Sequence, residues 1–229
     1  MVYQPSSENE DLEEQQNPQT KLTPLNNRKR YLISKRFFDI VFSVIGILLL
    51  LPLFIIIGCI IKFENWKAPI LFKQIRIGKD QREFYMYKFR SMVTNAEQLK
   101  GMLANQNEAT GPVFKMKNDP RVTKFGRFIR KTSIDELPQL FNVLKGDMSL
   151  VGPRPPIPEE VKHYTSYERQ RLTVTPGLTC YWQVSGRSNT SFERWVELDL
   201  KYIQERNLII DFKLILKTVV VLFGSKDAY

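Results

Sequence analysis

Histidine and cysteine are scarce in this chain of 229 residues, which has one histidine, His163, and two cysteines, Cys59 and Cys180. A single histidine excludes a histidine-rich metal site, and the absence of a CxxC pair excludes a structural zinc site. Cys59 lies in an apolar run and Cys180 lies far from it in a predicted strand, so we interpret both as reduced packing residues.

Three common motifs for nucleotides and nucleotide sugars are also missing. The chain has no GxxxxGK[ST] loop, no GxGxxG fingerprint and no Asp-x-Asp of the kind that many nucleotide-sugar glycosyltransferases use for their metal. Any nucleotide chemistry must therefore depend on another arrangement of residues.

Acidic residues are outnumbered, and the formal net charge is +10. The first 61 residues are neutral in sum, so the whole excess lies in residues 62–229. Such an excess suits an anionic partner, which can be nucleic acid, an acidic lipid surface or a phosphorylated substrate. Charge alone does not choose among the three.

The longest apolar run, residues 40–61, has 22 residues without a charge. About 20 apolar residues suffice to cross a bilayer. The run is too long and starts too late for a signal peptide. Pro52, at its midpoint, is expected to kink the helix. Both flanks are basic, which favours two cytoplasmic ends. We therefore predict a re-entrant membrane helix kinked at Pro52, with a kinked spanning helix as the alternative.

The rest of the chain predicts an α+β fold that is mostly helical. Residues 1–30 are polar and predicted to be a disordered cytoplasmic tail, residues 31–62 form a basic collar and the membrane helix, and residues 63–229 form a membrane-associated catalytic domain. Residues 70–77 and 83–89 predict a small β-hairpin. Helices are predicted at 93–104, 121–131, 192–205 and 211–223. The second and the last are amphipathic or apolar enough to lie at the membrane interface.

Asp135 and Glu136 lie in the densest polar cluster, at residues 130–139. Pro138 favours the first turn of a helix, so both acids are expected at a helix N-terminus. A purely local alternative is a capping box, since Ser133 precedes Glu136 by three residues.

Cations in three other clusters change the balance toward chemistry. Arg154 stands between two prolines, which suits a rigid phosphate-binding guanidinium. Lys88, Arg90 and Arg187 lie at the ends of predicted elements. Several fixed cations and two carboxylates fit metal-assisted phosphoryl transfer, in which one carboxylate attacks phosphorus and another holds Mg²⁺.

Taken together, the motifs resemble the bacterial sugar transferase family, the monotopic phosphoglycosyl transferases that act on polyprenol phosphate. The resemblance covers about residues 32–224. The matching stretches are 35–39 (KRFFD) with the Pro52-broken helix, 87–92 (YKFRSM), 119–123 (DPRVT), 130–139 (RKTSIDELPQ), 146–155 (GDMSLVGPRP), 176–179 (PGLT) and 186–187 (GR).

The resemblance implies a two-step reaction at the cytoplasmic face of the bacterial inner membrane. Asp135 is expected to attack the β-phosphate of a UDP-sugar, releasing UMP, and undecaprenyl phosphate is expected to take the sugar phosphate from Asp135. Glu136 is expected to hold Mg²⁺. The cations expected to bind phosphate, nucleotide or lipid groups are Lys88, Arg90, Arg130, Arg154 and Arg187. Membrane lipids, and no nucleic acid, complete the implied partners.

Two other functions are compatible with parts of the sequence. A membrane-tethered basic module that binds lipid or nucleic acid explains the charge and the apolar run, but it leaves Asp135, Glu136 and Arg154 without a role. A metal-dependent glycosyltransferase without a covalent step is disfavoured by the missing Asp-x-Asp. The sequence does not fix the sugar, the glycan pathway (exopolysaccharide, capsule, O-antigen or protein glycan) or the oligomeric state, for which a homodimer is open.

Overall fold

A computed structural model of the protein describes residues 29–103, 107–108, 111–114, 116, 118–185 and 191–224, without the side chains of Lys100 and residues 222–224. Nearly all of the predicted tail, residues 1–30, lies outside this part. The described chain is mostly helical, as predicted. Its helices are α1 (Lys29–Glu64), α2 (Ala96–Met102), α3 (Lys124–Lys131), α4 (Gln139–Lys145), α5 (Pro158–Lys162), α6 (Ser166–Arg169), α7 (Tyr181–Val184), α8 (Phe192–Glu205) and α9 (Leu208–Gly224).

The predicted hairpin is confirmed. β1 (Leu71–Ile77) pairs antiparallel with β2 (Glu83–Phe89), with Leu71 opposite Phe89. Between them a 3₁₀ turn, Lys79–Gln81, reverses the chain through positive φ angles at Asp80 and Gln81. Side chains alternate between the two faces of β2, so Met86 and Lys88 lie on the same face. Both line the cavity that is described below.

A second, parallel pair of strands was not predicted. β3 (Ser149–Val151) pairs with β4 (Gly177–Thr179), Ser149 opposite Gly177. A Cβ atom on Gly177 would lie 2.0 Å from the Gly152 nitrogen, so the two chain segments can approach only because glycine has no side chain. This contact fixes the loop that follows β3.

Helix α1 contains Pro52 and is helical from Lys29 to Glu64. Among the described helices it alone is long and apolar enough to cross a membrane. The kink and the re-entrant course stay predictions.

The domain that follows α1 packs against this helix both before and after Pro52. Before Pro52, the Arg36 guanidinium donates to the carbonyl oxygens of Val143 and Leu144 on α4, at 2.5 and 2.7 Å. Nearby, the Asp39 carboxylate accepts hydrogen bonds from the Ser149 hydroxyl and the Leu150 amide. After Pro52, α1 enters a buried apolar cluster with β2 and α3; its members are Ile57, Ile61, Phe89 and Ile129.

Helix α3 is shorter than predicted. It begins at Lys124, because Thr123 is its N-cap and accepts a hydrogen bond from the Gly126 amide. Arg121, placed by the sequence pattern in the basic helix, is instead buried in a bidentate ion pair with Asp119. Helix α2 likewise begins at Ala96 rather than at residue 93.

The C-terminal half of the domain has the larger core. Helix α8 has the predicted bounds, and α9 begins three residues before its predicted start. The rings of Trp182 on α7 and Trp195 on α8 stack 4.6 Å apart. Cys180 is buried in this core, and both cysteines are free thiols, as predicted.

Candidate active site

Asp135 and Glu136 lie in a 3₁₀ turn, Ile134–Glu136, between α3 and α4. Ser133, before the turn, has φ 55° and ψ 16°, the left-handed region that a serine seldom adopts. This residue changes the direction of the chain between α3 and the turn that carries the two acids. The structure contradicts the capping-box alternative, since the Ser133 side chain makes no capping hydrogen bond. The expected place of Pro138 in the first turn of α4 is wrong, because Pro138 is the N-cap of that helix.

Lys88 connects the hairpin to the acidic turn. Its Nζ atom lies 2.6 Å from Oε1 of Glu136 and 4.0 Å from Oδ2 of Asp135. A lysine shared by two adjacent carboxylates reduces their mutual repulsion and keeps both at one place.

Asn142 fixes the distance between Lys88 and the acids. This fully buried side chain on α4 donates to the Tyr85 carbonyl and accepts from the Tyr87 amide, at 2.7 and 3.0 Å. It thereby pairs the outer edge of β2 with α4. Sequence reasoning missed Asn142 because nothing local distinguishes it from a polar residue on a helix surface.

Asp135 is only 6% exposed. Burial raises the pKa of its carboxyl to about 6, the neighbouring charge of Glu136 acts in the same direction, and Lys88 and Arg130 oppose the shift. At neutral pH the group is largely an ionised carboxylate with little solvation. Such a carboxylate beside cations is suited to nucleophilic attack on an anionic substrate.

A cavity of about 980 Å³ contains these groups. That volume is at the upper end of the range for small-molecule sites. The described residues of the predicted site come together here: Lys88, Arg90, Arg130, Asp135, Glu136 and Arg154 all line the cavity. Arg187 lies outside the described residues, and Pro52 lies on α1, away from the lining.

Two of the predicted arginines are held by hydrogen bonds, Arg90 to a main-chain carbonyl and Arg154 to a buried carboxylate. Arg90, just after β2, donates its Nε hydrogen to the Pro69 carbonyl at 2.9 Å. Arg154 lies in the loop after β3 and reaches Oε2 of Glu160 at 3.4 Å. Glu160 is almost fully buried and also lines the cavity. Its position near the start of α5 gave no sign of this role in the sequence.

Helix α3 contributes further positive charge. Arg127, Arg130 and Lys131 all line the cavity, although the sequence pattern assigned this helix to the lipid surface. The cations of α3 therefore line the same cavity as Asp135, in addition to Lys88.

The donor set at the acids fits Mg²⁺ with Glu136 as its protein ligand. Carboxylate oxygens suit this hard cation, and the Glu136 side chain is 42% exposed at the cavity wall. The described residues contain no cluster of three potential metal-ligating side chains. Mg²⁺ commonly takes one or two carboxylates and completes its coordination with substrate phosphates and water, so this set is sufficient.

Comparison with known proteins identifies relatives of the chain. The sequence profile described as "Bacterial sugar transferase" matches residues 30–225. "Galactosyl transferase CpsE" of Streptococcus agalactiae is 50% identical over 85% of this chain and 43% of its own length. "Undecaprenyl-phosphate galactose phosphotransferase" of Salmonella typhimurium is 44% identical over 85% and 41%. "Exopolysaccharide production protein ExoY" of Sinorhizobium fredii is 36% identical over 86% and 88%.

The chain spans less than half the length of the first two relatives and most of the length of the third. The family match covers the whole described fold, including the acidic turn, β2 and the loop that carries Arg154. On these findings, the chain belongs to the bacterial sugar transferase family.

Proposed function

We propose that the protein transfers a sugar 1-phosphate from a UDP-sugar to undecaprenyl phosphate through a covalent intermediate on Asp135. The observation that carries this proposal is the buried Asp135 carboxylate, held beside Glu136 and Lys88 in a cavity with several arginines. The names of the Salmonella relative and of a Xanthomonas campestris relative, "UDP-glucose:undecaprenyl-phosphate glucose-1-phosphate transferase", support the general reaction.

In the first step, an Oδ atom of Asp135 attacks the phosphorus that bears the sugar. A new O–P bond forms as the bond to the bridging oxygen breaks, and the electron pair leaves with UMP. Lys88 and Arg130 offset the repulsion between the carboxylate and the diphosphate as they approach. Bound Mg²⁺, held by Glu136 and substrate phosphates, would further neutralise the diphosphate charge.

In the second step, a phosphate oxygen of undecaprenyl phosphate attacks the same phosphorus. The O–P bond to Asp135 breaks, the carboxylate is regenerated, and the product is undecaprenyl diphosphate-sugar. A covalent intermediate allows a soluble donor and a lipid acceptor to use one cavity in turn.

The membrane-facing surface is proposed to comprise the outer sides of α1 and α9. Leu48, Leu49 and Ile55 on α1 are exposed, as are Leu216 and Val220 on α9. Large exposed aliphatic surfaces of this kind suit the hydrocarbon region of a bilayer.

Both ends of α1 are proposed to lie on the cytoplasmic face. Lys35 and Arg36 near its start and Glu64 at its end make polar contacts with one domain. A helix crossing about 30 Å of hydrocarbon would place these contacts on opposite sides. The contacts therefore support a helix that enters and leaves the same leaflet.

The test is product analysis with purified protein in detergent, undecaprenyl phosphate, Mg²⁺ and a panel of UDP-sugars. UDP-galactose and UDP-glucose head the panel, because the reported relatives are named for both sugars. We expect UMP from the wild type and none from Asp135→Asn. Asp80→Asn, in the exposed hairpin turn, is the matched control and should release UMP normally.

Other products would point to other functions. UDP as the leaving product would indicate a glycosyltransferase without a covalent step. Unchanged UMP release by Asp135→Asn would refute the covalent role of Asp135. No release of either nucleotide by the wild type, with lipid binding intact, would favour the tethered binding module.

A further inference from the structure

Arg76 is a buried arginine of β1 that none of the site predictions included. Arg76 is 7% exposed, yet it lines the same cavity as Asp135 and Arg154. No carboxylate among the described residues lies within salt-bridge distance of its guanidinium. An arginine is rarely buried without a paired anion, because removing the charge from water is costly.

The hydrogen bonds of Arg76 are made only to neutral acceptors. One terminal nitrogen donates to the Pro155 carbonyl at 2.9 Å, and the other donates to Oε1 of Gln74 at 2.7 Å. Nε has no partner among the described residues. A guanidinium has five N–H donors, so in the described part of the chain three are left without an acceptor.

The charges around Arg76 also indicate that its guanidinium lacks an anionic partner. Burial, and next the neighbouring positive charge of Arg154, lower the pKa of Arg76 to about 9. The charges of Glu160 and Glu136 act in the opposite direction with smaller effect. Two guanidinium groups beside one cavity repel each other unless an anion lies between them.

We propose that Arg76 and Arg154 form one binding site for the diphosphate of the nucleotide donor, with Arg76 as a further substrate-binding residue. The inference rests on the proposed function for the identity of the anion. A diphosphate supplies the negative charge and the several acceptor oxygens that two guanidiniums lack. The Pro155 carbonyl fixes Arg76 to the chain segment that carries Arg154, so the two groups bind as a unit.

A purely structural role for Arg76 is the competing explanation, since it joins β1 to the loop after β3. Arg169 provides a control: its guanidinium also donates only to neutral acceptors, the Tyr164 and Val161 carbonyls and Oε1 of Gln81, but it is exposed and does not line the cavity. Its loss should lower stability without affecting anion binding.

The experiment compares binding of UDP and uridine to the full-length wild type, Arg76→Met and Arg169→Met by calorimetry, with thermal unfolding of each unliganded protein. We expect Arg76→Met to bind UDP at least about tenfold more weakly and uridine as the wild type does. Its unliganded midpoint should be no lower than that of Arg169→Met, since removal of an unpaired buried charge offsets the lost hydrogen bonds. Arg169→Met should bind UDP normally.

Equal UDP affinity of wild type and Arg76→Met would overturn the inference, as would equal losses for UDP and uridine together with a lower midpoint. If Arg76→Met does not fold, Arg76→Lys replaces it; we expect at least about threefold weaker UDP binding with uridine unchanged, and wild-type affinity for UDP would overturn the inference. A wild type that binds UDP through Arg76 but releases no UMP from UDP-sugars would refute the proposed function alone.

Discussion

Lys35 and Asp211 form a buried ion pair, Nζ to Oδ2 3.0 Å, between residues 176 positions apart. The Asp211 carboxylate also accepts hydrogen bonds from the hydroxyl groups of Tyr31 and Tyr202. The pair thus joins α1, α8 and α9 at one point. It lies where α1 meets the domain, away from the cavity.

Loss of the Asp211 charge should destabilise the protein. In Asp211→Asn the Lys35 ammonium stays buried without its counter-ion, which typically costs about 3 kcal/mol. Thermal unfolding in nanodiscs measures the effect. The control is Lys201→Met, which removes an exposed pair with Glu205 at 3.9 Å and should cost less than about 1 kcal/mol. Similar midpoints for the two variants would show that the buried pair contributes little.

The pH dependence of UMP release should follow Asp135. Its pKa is raised to about 6 by burial, and attack needs the ionised form. We expect kcat/KM to fall about tenfold per pH unit below that value and to level off above it. A flat profile between pH 5 and 7 would contradict the assignment of Asp135 as nucleophile.

The stabilising contribution of Asp135 should fall as the pH rises, whereas kcat/KM should rise. An unfolded aspartate has a pKa of about 3.9, so between about pH 4 and 6 the folded protein binds more protons at this site than the unfolded chain does. The contribution of Asp135 to the free energy of unfolding is therefore present at low pH and is lost as the pH rises through about 6. Unfolding of the wild type and Asp135→Asn over this range should differ in slope, with the variant gaining relative stability as the pH rises.

Removal of Mg²⁺ with a chelator should abolish UMP release. We expect Glu136→Gln to raise the Mg²⁺ concentration for half-maximal rate at least about tenfold, because it replaces the charged ligand by a neutral one. Glu205→Gln, at the end of α8 and outside the cavity lining, is the control with an unchanged requirement. An unaltered Mg²⁺ titration for Glu136→Gln would exclude Glu136 as the metal ligand.

The course of α1 can be tested by labelling. In a Cys59→Ala background, Lys29→Cys and Lys67→Cys place single accessible thiols at the first residue of α1 and just after its end; Cys180 is buried in the core. An impermeant maleimide should label both from the cytoplasmic side of closed vesicles. Labelling from opposite sides would mean that the helix spans the bilayer.

The hairpin and α8 could be predicted because their signals are local. Alternating apolar residues and a turn at Gly78 specify β1 and β2, and amphipathic periodicity specifies α8. The assignment of Arg121 to α3 was wrong because a cap at Thr123 and an ion pair with Asp119 override periodicity.

Long-range contacts could not be predicted. Strands of three residues, such as β3 and β4, have no periodicity to detect, and their pairing depends on Gly152 and Gly177 meeting across the chain. Asn142, Glu160 and Arg76 each look like ordinary surface residues in the sequence. Only folding brings Asn142 to β2 and the other two to the cavity wall.

Glu64, the last residue of α1, accepts hydrogen bonds from the Phe125 amide and the Thr123 hydroxyl, so the end of the apolar helix is also the support for the first turn of α3. The cationic wall beside Asp135 is consequently held at a set height relative to the aliphatic residues of α1. In the proposed reaction, membrane thickness and lipid headgroup size thereby become variables, because they decide how far a lipid phosphate must rise to meet the carboxylate.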